Sequence, residues 1–73
     1  MTRYTYTLAR LPGQPITPPF EAFVAHLTMM LKPCYLRRRV LVACLAQQTA
    51  EAREASGFEG DFRVVIQKQD RLS

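Results

Sequence analysis

Residues 40–46, Val-Leu-Val-Ala-Cys-Leu-Ala, leave the chain few ways to fold. They are its longest unbroken apolar run. The run passes without Gly, Pro or a turn cluster into Gln47-Gln48-Thr49-Ala50-Glu51-Ala52-Arg53-Glu54-Ala55, a stretch rich in helix formers. Two readings compete. One helix over residues 35–56 makes the chain β-α-α-β. A short buried strand over residues 39–45, followed by a separate helix, makes it β-α-β-α-β. The split needs a strand-to-helix junction at Ala46-Gln47 with no break residue, so the single helix is the preferred reading.

A helix that is apolar all round over two turns must be covered all round. Leu41, Val42, Leu45 and Thr49 are expected to face the rest of the protomer. Leu36, Val40, Ala43 and Cys44 then point elsewhere. The chain has 73 residues, enough for a single domain over 1–73. A domain of this size buries only about 60% of its unfolded surface, so little is left to cover a second apolar face. Completion by homodimerisation is the expectation.

The flanking segments support the β-α-α-β order. Over residues 3–11, Tyr4, Tyr6 and Leu8 alternate with Arg3, Thr5 and Thr7, which predicts a strand with an aromatic inner face. Four prolines between Pro12 and Pro19 then forbid both ladder pairing and helix interior. The Pro12-x-x-Pro15 spacing is formally a polyproline pattern, but a stiff linker explains it. Thr17 suits the N-cap and Pro18 the first position of a helix over 18–32. Phe20, Phe23, Val24, Leu27 and Leu31 share one face of that helix, and Pro33 stops it. Gly57 is the expected left-handed terminator of the second helix, with Phe58 folding back on its last turn. Residues 62–68 predict a second strand, with Phe62, Val64 and Ile66 on one face and Arg63, Val65 and Gln67 on the other. The fold class is therefore α+β: a two-stranded antiparallel ribbon on two helices. Two strands alone are marginal, and two ribbons joined across a dimer axis would make four.

Most catalytic and metal chemistries find no support. His26, Cys34 and Cys44 lack the paired spacing of a metal site. His26 has no carboxylate three or four residues away. Cys34 with His26 is the sole thiol-imidazole pair, and a following helix start would make Cys34 the more reactive thiol. Glu51 and Glu54 read as a polar helix face, and Glu59 and Asp61 as turn residues. Three scattered glycines make no phosphate loop. No enzymatic activity, cofactor or metal is expected. The apolar run is too short for a membrane helix, which needs about 20 residues, and the N-terminus has no signal-peptide pattern. Cys34 and Cys44 would lie about 15 Å apart on one helix, too far for a disulfide, so free thiols and a cytoplasmic location are expected.

Charge carries the functional expectation. Residues 1–39 hold six Lys+Arg and one acid, 6 − 1 = +5, and residues 40–73 hold four and five, 4 − 5 = −1. Eight of the ten basic residues are Arg, a bias that points to a GC-rich bacterial or phage coding sequence. Arg37, Arg38 and Arg39 stand at the second helix's start, the end where its dipole disfavours cations. Arg3 and Arg63 would add to them from the ribbon's outer face. The expectation is a small non-enzymatic protein of bacterial or phage type. It would bind, and modulate or inhibit, an acidic protein partner through these five arginines. The alternative is nucleic-acid binding by the same residues. A solvated segment that keeps a sticky dimer soluble is the plainer reading of the triplet.

Overall fold

The computed structural model describes residues 2–70. Its element order is β1 (Thr2–Arg10), α1 (Pro18–Met30), α2 (Arg38–Ser56) and β2 (Phe62–Asp70). The single-helix reading of the apolar run holds, and the class is α+β with β-α-α-β order. β1 and β2 pair antiparallel from Thr2↔Asp70 to Arg10↔Phe62. Tyr4, Tyr6 and Leu8 share their inner face with Phe62, Val64 and Ile66, and all six pack on one cluster centred on Phe23, Leu27, Leu31, Tyr35, Leu41, Leu45 and Ala52.

Local chemistry sets most boundaries. Leu11-Pro12-Gly13-Gln14 is a type II turn. Gly13 has φ 84°, and the Gln14 N–H donates to the Leu11 carbonyl at 3.2 Å. Thr17 caps α1, its hydroxyl accepting from the Phe20 N–H at 3.4 Å. Gly57 ends α2 in the left-handed conformation at φ 74°, and Phe58 folds back to stack edge-on with Phe20 at 5.2 Å.

Three expectations are corrected. First, α1 stops at Met30, two residues before the expected end. Leu31 is already extended, at φ −98° and ψ 146°. Second, α2 begins at Arg38 and not at residue 35. Tyr35 is drawn into a one-residue bridge on the free edge of β1. Its N–H donates to the Tyr4 carbonyl at 2.9 Å, and the Tyr4 N–H donates back at 2.7 Å. The Tyr35 hydroxyl also accepts from the Lys32 N–H at 2.9 Å, an amide the helix would otherwise have used. Third, the buried stripe of α2 runs through Leu41, Leu45 and Ala52. That phase turns Val42 outward and brings Cys44 against the core.

Candidate partner-binding site

The Tyr4–Tyr35 bridge decides where the arginines meet. The pairing is antiparallel, so the chain leaving Tyr35 runs back past the Arg3 end of β1. Leu36 and Arg37 pass alongside that end, and α2 starts immediately after. Arg37 is the N-cap residue, with an extended backbone at φ −130° and ψ 128°. Only Arg38 and Arg39 are helical, so the triplet does not fan round a helix as a continuous one would. The backbones of Arg3, Arg37, Arg38 and Arg39 therefore lie toward one end of the molecule, with Arg3 on the ribbon face opposite the Tyr4 side.

Arg63 does not join them. It stands opposite Ala9, six residues along β1 from Arg3, which places it about 20 Å away. It lies instead beside Glu59 and Asp61 in the turn before β2. The opposite ends of α2 thus differ in charge. Its first turn holds no acid, while Glu51 and Glu54 lie near its end, across a helix of 19 residues, about 28 Å long.

Among the described residues none of these four arginines is ion-paired. Among the described residues the one ion pair is Lys68–Asp70, at 3.9 Å. Asp70 is, among the described residues, the carboxylate paired in register with the Arg3 end, opposite Thr2, and it also accepts from the Thr2 hydroxyl at 2.6 Å. Arg37 offers α2 no side-chain cap, so cations surround a helix start whose own amides already carry positive partial charge.

Apolar side chains lie between the cations. Leu36 is 66% exposed and Val40 43% exposed. With Lys32, Cys34, Tyr35 and Arg37 they line a concavity of about 300 Å³. Sequence reasoning marked Leu36 and Val40 as uncovered, but it missed the concavity, which exists only because the chain leaves α1 early to reach Tyr4.

The other chemical candidates are scattered. His26 lines a separate groove with Ala25, Met29, Ala55 and Ser56, so Cys34 and His26 do not share a site. The Ser56 hydroxyl is committed to the helix end, donating to the Ala52 carbonyl at 2.6 Å and accepting from the Phe58 N–H at 3.2 Å. Cys34 sits in the extended segment, four residues before α2, rather than at its start. Cys34 and Cys44 are both free and half-buried. Among the described residues no three His, Cys, Asp or Glu side chains converge on one point. Among the described residues no helix is long and apolar enough to cross a membrane.

Arg53 is the residue that sequence reasoning passed over. Its guanidinium lies 5.5, 5.7 and 5.6 Å from the ring centres of Phe23, Phe58 and Phe62. One of its nitrogens donates to the Gly60 carbonyl at 2.8 Å and to the Phe58 carbonyl at 3.3 Å. It is a structural clasp for the turn into β2, at the opposite end of α2 from the triplet.

Comparison of the chain with protein-family models, with characterised proteins and with solved structures found no match, so the chemistry of the site rests on its own residues.

Proposed function

We propose that the protein is a non-enzymatic binding protein, of bacterial or phage type, that docks on an acidic surface of another protein and modulates or inhibits it. The observation that carries this reading is the placement of Arg3, Arg37, Arg38 and Arg39 toward one end by the Tyr4–Tyr35 bridge, with no carboxylate ion-paired to them among the described residues. Unpaired guanidiniums are suited to bidentate contact with carboxylates. Arg63 is left out of the binding surface. Leu36 and Val40, interleaved with the cations, favour a protein surface over a phosphate backbone, because a protein can also bury apolar area. Free Cys34 and Cys44 suit a reducing compartment such as the cytoplasm.

The test is capture from a bacterial lysate by immobilised wild type and by Arg37→Glu with Arg38→Glu. Wild type is expected to retain one specific protein that the double variant loses. Equal capture by both would remove the arginines from the account. If instead the protein binds DNA or RNA with an affinity that falls steeply with salt, nucleic acid is the target.

A homodimer is the second part of the proposal. Among the described residues the sheet has two strands, and the outer edge of β2 has no strand partner. Antiparallel joining of two β2 edges about a twofold axis would give a four-stranded sheet and leave the α2 start free for the partner. Light scattering at micromolar concentration is expected to give twice the subunit mass, and a single-subunit mass would refute it.

A further inference from the structure

We propose that the concavity at the start of α2 seats one large apolar side chain from an acidic segment of the partner protein. The proposal deepens the acidic-partner reading above and rests on it. It names the kind of segment that fits: one apolar anchor with carboxylates on either side.

The concavity, about 300 Å³, lies at the bottom of the range for small-molecule sites. It is too small for a large cofactor and ample for one side chain. Its wall is Tyr35, Leu36 and Val40, and its rim carries Lys32 and Arg37, with Arg38 and Arg39 beyond. A simple anion would use the rim and leave Leu36 and Val40 in water. A neutral apolar ligand would use the wall and leave the cations idle. Single-stranded nucleic acid needs an exposed aromatic platform, but Tyr35 is buried at 8% exposure, with its hydroxyl committed to the Lys32 amide. A second copy would bring the same arginine rim against its equivalent, a like-charge contact in a chain of net charge +4. Charge and shape together select an acidic segment with an apolar anchor.

One wall residue, Tyr35, is held in place. Both backbone bonds to Tyr4 and its hydroxyl bond to the Lys32 amide fix it, which lowers the ordering cost of association at that residue. The arrangement has two elements of an interface hot spot, an apolar hollow and an arginine, Arg37, on its rim.

The experiment uses the full chain and two fluorescein-labelled synthetic peptides. Both are glutamate-rich; one has a central Phe and the other Ala at that position. Anisotropy gives the affinities, and amide chemical shifts of ¹⁵N-labelled protein give the site. The Phe peptide is expected to bind about tenfold or more tighter than the Ala peptide, as burial of one aromatic side chain implies. It should shift the amides of residues 32–40. Leu36→Ser with Val40→Ser changes only exposed side chains. That variant should reduce the Phe peptide to the affinity of the Ala peptide and leave the Ala peptide unchanged. Arg37→Glu with Arg38→Glu should weaken both.

Equal binding of the two peptides to wild type, still weakened by the glutamate variant, would overturn the anchor site and leave the acidic-partner reading standing. Binding by neither peptide would overturn both. Tight Phe-peptide binding that survives Leu36→Ser with Val40→Ser, or that shifts amides elsewhere, would place the anchor at another site and overturn the proposal. A dimeric mass that falls to one subunit in the serine variant would show that a second copy covers the concavity, and would also overturn it.

Discussion

Replacing Arg53 by Met tests the physical account of the fold most directly. Methionine keeps an unbranched apolar stem against Phe23, Phe58 and Phe62 but has no charge and no donor. The loss has two parts. The 2.8 Å bond to the Gly60 carbonyl is charge-assisted and half-buried, worth about 1.5–2 kcal/mol. The 3.3 Å bond to Phe58 is long and adds little. Three rings share one guanidinium, so cation–π attraction adds once rather than three times, about 0.5–1 kcal/mol at a partly exposed site. The total is about 2–3 kcal/mol. A domain of 73 residues has roughly 4–11 kcal/mol of stability in all. The variant should therefore lose a large share of it, and its melting temperature should fall by roughly 10–20 °C. Urea unfolding followed by circular dichroism measures this, with an unchanged slope indicating that the native state is intact. A loss below about 0.5 kcal/mol would refute the clasp and leave Arg53 as a surface residue that happens to lie over the rings.

Two further outcomes follow from the Tyr residues. Tyr35→Phe removes the acceptor for the Lys32 N–H and should cost about 1 kcal/mol in urea unfolding, while the bridge to Tyr4, made by backbone, persists. The Tyr6 hydroxyl has its pKa raised above the ordinary tyrosine value, first by burial and second by the neighbouring Tyr35. A raised acid favours the protonated folded state, so this stability is complete below the unfolded value, about 10, and is lost as pH rises through the folded one. Thermal melts should be flat up to that pH and fall above it, and Tyr6→Phe should flatten the alkaline fall.

Elements controlled by neighbours in the chain were legible in the sequence. The Thr17 cap, the Gly57 terminator, the strand faces and the unbroken helix through residues 40–46 each depend on a residue and its near surroundings. The segment between the helices was not legible in this way. Residues 31–37 could have extended α1 or α2 by propensity, apart from Pro33. They are non-helical, with Tyr35 paired to Tyr4, thirty-one residues earlier, and periodicity does not register such a pairing. The same pairing creates the concavity and separates Arg37 from the helix, so the site's shape was hidden while its residues were visible. Arg53 was hidden for a related reason. Its value comes from Phe23 on α1, Phe62 on β2 and Phe58 in the turn between α2 and β2, none of them on its own helix.

The arginines at the two ends of α2 have opposite relations to the fold, and this separates stability from binding. Arg53 lies in the last turn, where the helix dipole favours a cation, and it has partners. Arg38 and Arg39 lie in the first turn, where the dipole opposes them, and among the described residues they have none. If the fold alone had set these positions, an acid or a capping residue would serve better. Arg38→Glu should accordingly stabilise the protein by about 0.3–1 kcal/mol, less at high salt, by placing an anion at the helix start and relieving repulsion from Arg37 and Arg39. The same change should weaken capture of the acidic partner. A gain in melting temperature together with a loss of binding is the pattern of residues kept for function at a cost to stability. If Arg38→Glu destabilises the fold, the cations are holding the helix start by a contact outside the arrangement described, and the case for a partner weakens with it.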